Sequence, residues 1–221
     1  MSEPDGFTRM IDSAESFFAD LKQNNSREWF EPRKAHYVED IRKPATFLAE
    51  IMAEELSRQS GQGLKPKVFR IYRDVRFSKD KTPYNAHLHM VWTEPDGDPL
   101  APAYFFGVAP GTMDLGCGVI RLEGAGLTRY RAFVDAWGGL LHEQMADTGA
   151  TLSDWGPAPL KRVPKPYDAD HPHGELLKRK SLIFHVPAPS DWRSQPGGLV
   201  SALRSSFAMV APLAELLRNR I

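Results

Sequence analysis

The chain has 221 residues, 42% hydrophobic and 25% charged, with Lys+Arg and Asp+Glu each totalling 28 and a formal net charge of zero. Those values exclude disorder, collagen-like repeats and a disulfide scaffold, the last because Cys117 is the sole cysteine. They also argue against broad nucleic-acid coating, which needs a strongly basic domain, and leave only a local basic patch as such a footprint.

One domain is expected over 1–221, with residues 1–12 a flexible lead-in. The opening MSEPDGFTRMIDS does not read as a signal peptide, and the longest apolar stretches are broken by charge, so no membrane contact is expected. A single cysteine fits a reducing, cytoplasmic setting.

Ser13 can cap a first helix whose Phe17, Phe18 and Leu21 face inward, ending at Gln23-Asn24-Asn25. Asn25 with Glu28 resembles a capping pair for a second, in which Trp29, Phe30, Tyr37 and Ile41 recur at helical spacing and Pro32 offsets the first turns. Pro44 opens a third, with Phe47, Leu48, Ile51, Met52 and Leu56 apolar and Gly61 to Gly63 as its stop.

From Val68 the period changes to two, which predicts a strand: Phe69, Ile71, Val75 and Phe77 on one side, Arg70, Tyr72, Asp74 and Arg76 on the other. Further strands are predicted at 86–92, 103–108 and 113–122, with turns at Asp96-Gly97 and Gly111. A helix with Leu127, Tyr130, Phe133, Val134, Trp137, Leu140 and Leu141 apolar, a long loop from Thr148 to Asp170, a strand at 182–186 and a helix at 198–218 kinked near Pro212 complete the chain. Turns this short force a largely antiparallel sheet. The fold class is therefore α+β, with about five strands packed against N-terminal and C-terminal helices.

The stretch from Lys67 to Tyr84 carries six basic residues against two aspartates. As an anion site it would use Arg70, Arg73, Arg76, Lys79 and Lys81, with Tyr72 or Tyr84 supplying a hydroxyl. As a scaffold, Asp74 would hold Arg70 and Arg76 on one face. The charge pattern supports both equally. Arg73 interrupts the apolar side and needs a carboxylate, a bulge or a route to water.

His87 and His89 point the same way and could hold a metal if Asp114, Glu123, His171 or His173 approached. None stands at a diagnostic spacing, so no metal is assigned, and the cofactor is unknown. In the long loop, His171 lies beside Asp168 and Asp170, which suits general acid or base work; the plainer alternative is Asp170 capping a helix near Pro172. Cys117 between glycines reads as packing, and the glycines at 107, 111, 116 and 118 as turns or bulges rather than a phosphate loop.

Three phrases carry a family resemblance: Asn24-Asn25-Ser26-Arg27-Glu28-Trp29-Phe30, Arg73-Asp74-Val75-Arg76-Phe77-Ser78-Lys79-Asp80-Lys81-Thr82-Pro83-Tyr84, and Tyr167-Asp168-Ala169-Asp170-His171-Pro172. Together they resemble domain-of-unknown-function family 2461. The resemblance implies a bacterial-type, single-domain α+β protein and no established activity or catalytic residues. The family pattern has a lysine after Thr-Pro-Tyr, where Asn85 stands here.

The expected function is binding of a small phosphorylated or carboxylated ligand where the basic segment meets the His171 loop. Arg73, Arg76, Lys79 and Lys81 would bind charge, and His171 with Asp168 or Asp170 would move protons if there is catalysis. The rivals are a docking module for an acidic protein or nucleic acid, and a purely structural basic segment.

Overall fold

The computed structural model describes residues 5–95, 98 and 100–221. Helix α1 spans Gly6–Gln23. It starts seven residues before Ser13 because Asp5 is the cap, its carboxylate accepting from the Thr8 N–H at 2.7 Å. That start brings Met10 and Ile11 into the buried stripe with Ala14, Phe17, Phe18 and Leu21, so the expected flexible lead-in is helical from Gly6.

Helix α2, Arg27–Phe30, is capped by Ser26 rather than Asn25, the Ser26 hydroxyl accepting from the Trp29 N–H. Pro32, which has no N–H to donate, sits in a 3-10 turn at Glu31–Arg33. A short α3, Lys34–His36, and a π-helical turn at Tyr37–Arg42 lead without a break into α4, Lys43–Ser60, so Pro44 lies in the first turn of a continuing helix. The helix ends at Gly61, as its sequence predicts. Leu48, Met52 and Leu56 are buried while Phe47 is exposed.

Strand β1 is short, Lys65–Val68. The predicted strand to Phe77 does not form. Alternation says which side each residue faces, but a strand also needs a neighbouring backbone. One backbone bond to the next strand persists past Val68, from Phe69 N–H to His89 O at 2.9 Å, and side chains take the carbonyls: Arg42 Nη1 donates to Phe69 O at 2.7 Å, Lys81 Nζ to Val75 O at 3.0 Å and Asn85 Nδ2 to Arg70 O at 3.3 Å. What remains is a hairpin with one isolated bridge, Tyr72 to Tyr84, flanked by bonds from Arg73 N–H to Pro83 O and Asn85 N–H to Ile71 O.

The other strands are β2 (Leu88–Thr93), β3 (Ala103–Ala109), β4 (Thr112–Val119), β5 (Thr151–Leu152) and β6 (Leu182–Pro187). They form an antiparallel sheet in the order β1-β2-β3-β4-β6-β5. The sixth strand, β5, pairs Thr151 with His185 and Leu152 with Phe184; two residues are too short for any periodicity to show. The predicted turn at Asp96-Gly97 lies outside the described residues.

Helices α5 (Gly124–Thr148), α6 (Gly174–Leu177) and α7 (Gly198–Arg220) follow β4, β5 and β6 respectively. Helices, then strands, then mostly helices make the chain α+β. By length and composition α7 is apolar enough to cross a membrane, which the sequence reading did not anticipate. Its buried apolar side chains, Leu199, Ala202, Leu203, Phe207, Val210, Leu213, Ala214 and Leu217, recur at helical spacing along one side, the pattern of a core helix.

Internal contacts divide the chain into two compact units. The first comprises Met1–Trp92, Phe105–Leu115 and Pro187–Ser205, and the second Thr93–Tyr104, Gly116–Val186 and Ser206–Ile221. In the first, α1 and α4 enclose an apolar core, and the Trp92 indole donates to Ala49 O at 2.8 Å. In the second, Tyr104 meets Phe207 edge-on, the Tyr130 hydroxyl donates to Leu176 O at 2.7 Å, and Arg218 Nε donates to Glu94 at 2.9 Å.

His87 and His89 lie in the first unit with ring centroids 4.1 Å apart. Gly107 makes room for the pair: a Cβ there would come within 2.5 Å of the His89 ring. Burial, then the neighbouring His87, pushes the His89 pKa down from 6.5 to about 4, and burial lowers that of His87. The unfolded chain therefore takes up protons that the fold refuses. Stability is full above pH ~6.5 and falls as the pH drops towards ~4, by up to about 3 kcal/mol from His89. Melting curves across that window should decline more steeply for the wild type than for His89→Gln; parallel curves would show that His89 titrates normally.

Candidate functional site

The hairpin of the first unit spends much of its charge on itself. Arg73, which the alternation placed on the apolar side, is mostly covered and turns inward: its guanidinium donates to Asp80 at 2.6 Å, to Thr82 O at 3.0 Å, to the Thr82 hydroxyl and to Ser78. Arg76 makes a two-pronged pair with Asp74, Nε to Oδ1 at 2.9 Å and Nη2 to Oδ2 at 2.7 Å. That pair holds the Asp74 carboxyl below the usual carboxylate range. Asp80 is lowered too, by the backbone and hydroxyl of Thr82 and then by Arg73. Arg70 does not share Asp74 by a hydrogen bond; it adds only a longer-range attraction.

Tyr84 is buried rather than offered to a ligand. Its ring stacks on Phe30 at 4.3 Å and lies 5.4 Å from that of Tyr72. Its backbone is bound on both sides by Asn25, whose Nδ2 donates to Tyr84 O at 2.9 Å and whose Oδ1 accepts from the Tyr84 N–H at 3.1 Å. The first two sequence signatures thus meet.

The third signature belongs to the second unit, where it lines a cleft of about 480 Å³ built from residues 161–178. Tyr167, Ala169, His171 and Pro172 form part of the wall, and Lys161, Arg162, Lys165 and Lys178 supply four cations against one carboxylate, Glu175. Lys178 Nζ is taken by Glu175 at 2.5 Å. Among the described residues Lys161, Arg162 and Lys165 have no ion pair. Sequence reasoning passed over these three. Their signal was three cations without an acid in Lys161-Arg162-Val163-Pro164-Lys165, inside a stretch read only as loop.

His171 is oriented by groups that adjacency in sequence did not suggest. Its Nε2 lies 3.0 Å from Asp135 Oδ1 on α5, and its Nδ1 accepts from the His173 N–H at 3.0 Å. Nδ1 is therefore the bare nitrogen, and Nε2 carries the proton towards Asp135. Among the described residues no hydrogen bond joins the Asp168 or Asp170 side chain to His171. The Asp168 carbonyl accepts from the His171 N–H at 3.1 Å. Asp170 does not cap a helix either: α6 begins at Gly174, after His173.

Asp135, Gly138 and His142 lie three and four residues apart on α5 and so share a face. The rings of His142 and His173 are 5.2 Å apart, and those of His171 and His173 are 5.7 Å apart. His142 Nδ1 donates to Gly138 O at 2.8 Å. Burial, then the two neighbouring imidazoles, lowers the His173 pKa. Its Nδ1 is buried without a hydrogen-bond partner. Among the described residues no three His, Cys, Asp or Glu side chains are placed to hold a metal, the His87 and His89 pair included. Cys117 is fully buried, its thiol pushed up to about 12 by burial, which removes it as a nucleophile.

A family model described as "Conserved hypothetical protein (DUF2461)" matches residues 13–215, and the chain belongs to that family. Among curated proteins none matches it.

Two adjacent glycines of α5 test the packing behind the cleft. A Cβ at Gly138 would lie 2.3 Å from the His173 ring, while one at Gly139 would meet nothing within 4 Å. Gly139→Ala should raise stability by about 0.5–1 kcal/mol, the ordinary helical gain. Gly138→Ala should lower it by roughly 1–3 kcal/mol through overpacking. Equal effects in denaturant unfolding would mean that His173 does not press on α5.

Proposed function

We propose that the protein binds a small phosphorylated or carboxylated ligand in the basic cleft of residues 161–178. The observation that carries this reading is the set of three cations, Lys161, Arg162 and Lys165, lining one cleft with no carboxylate to neutralise them among the described residues. Structural arginines and lysines find partners, as Arg73 and Arg76 do; cations left together in a concave site suit a multiply charged anion. A volume near 480 Å³ suits an organic ligand more than a bare inorganic ion.

Tyr167 adds a hydroxyl and an aromatic edge to the wall. His171, with both ring nitrogens engaged, holds the loop to α5; to move a proton to or from a ligand it would have to release Asp135 or the His173 N–H. The reading is therefore of a binding site, with His171 and Asp135 as its positioning pair. A reducing, cytoplasmic setting belongs to the same reading, supported by a lone cysteine that is buried and free.

Isothermal titration with orthophosphate, pyrophosphate and citrate tests the site. At least one should bind the wild type. Arg162→Ala with Lys165→Ala should weaken it by tenfold or more at an unchanged melting temperature, since both residues are exposed. Arg76→Ala should keep the wild-type affinity. No binding by any of the three, or wild-type affinity in the double variant, would overturn the proposal.

A further inference from the structure

We infer that the hairpin of the first unit is a docking surface for single-stranded nucleic acid. Phe77, which is not among the residues lining the cleft, is 96% exposed at the hairpin tip. One exposed ring is ordinary, but the same short segment shows two more, Phe69 and Tyr72, each 43% exposed, and exposed aromatics gathered in one segment mark an interaction surface.

Cations interleave with these rings. Lys67 Nζ lies 5.1 Å from the Phe69 ring centroid and the Arg76 guanidinium 5.9 Å from that of Phe77. The aspartates of the segment are already matched, Asp74 by Arg76 and Asp80 by Arg73. Lys67, Arg70 and Lys79 have no carboxylate partner among the described residues, so the surface carries a local positive charge although the whole chain carries none.

The surface is also held in shape before anything docks. Arg73 ties the loop across its width, Arg76 is held by Asp74, and the hairpin base is fixed by Asn25 and the stack of Phe30 on Tyr84. A rigid display of aromatic faces among cations lowers the ordering cost of binding and fits a strand whose bases are free to stack and whose phosphates need neutralising. A duplex hides its base faces. A lipid surface would call for apolar rings free to insert, whereas Tyr72 is pinned by Tyr84 and Phe30 and cations lie over the rings of Phe69 and Phe77.

Fluorescence anisotropy of a labelled oligothymidylate, with the matching duplex and with vesicles of anionic lipid as competitors, tests the inference. Binding should be seen at about 50 mM salt and weaken about 20-fold by about 200 mM, the dependence expected for three phosphate contacts on a single strand. Phe77→Ala should weaken it about tenfold through the lost stacking, and Arg70→Glu with Lys79→Glu should abolish it. The altered residues are exposed, so the fold should survive. Absence of binding at the lower salt, wild-type affinity in Phe77→Ala, or displacement by vesicles but not by unlabelled oligothymidylate would overturn the inference.

Discussion

The side-chain amide of Asn25 does for Tyr84 what a neighbouring strand would do, accepting from its N–H and donating to its carbonyl. The hairpin behind β1 has a single bridge of its own, so without this clamp its returning arm would have little backbone to rest on. With it, the Tyr84 ring is set on Phe30, Tyr72 is set against both, and the loop between them is closed by Arg73. A buried backbone pair left unsatisfied costs about 1–3 kcal/mol per group, which explains why a residue 59 positions away is engaged so closely.

The two basic regions differ in what their cations are bound to and where they stand. A cation in a folded chain is paired, bound to carbonyls or left to water, and which of these holds says what it is available for. Arg73 and Arg76 are committed to Asp80 and Asp74, and Lys81 to a carbonyl. Lys161, Arg162 and Lys165 are committed to nothing among the described residues and line a cleft. Lys67, Arg70 and Lys79 of the first region have no carboxylate partner among the described residues either but stand exposed on the hairpin, whereas the three of the second region line one concave site, which suits a small anion.

Much of the fold was legible because it depends on periodicity. The stripe of α1 through Phe17, Phe18 and Leu21, the stop of α4 at Gly61 and the strands now seen at β2, β3, β4 and β6 follow from spacing alone. The extension of β1 to Phe77 failed because alternation does not reveal whether a neighbouring strand is present. The N-terminus of α1 was misplaced because Ser13 and Asp5 are both good caps, and only tertiary burial of Met10 and Ile11 favours the earlier one. At the site, His171 was legible from its loop, but its partner Asp135 lies on α5, 36 residues away, where no local pattern marks it. Gly138 was not legible either: Gly139 lies in the same helix with nothing within 4 Å, so a helical glycine alone does not report a close neighbour, and only the fold sets Gly138 against His173.

Amide chemical-shift mapping decides most directly which basic region receives a small anion. On titrating the isotope-labelled protein with pyrophosphate, the largest shifts should fall on residues 161–178, with smaller ones at Asp135, which holds His171. Shifts confined to the hairpin between Lys67 and Tyr84, with the cleft residues unmoved, would contradict binding in the cleft.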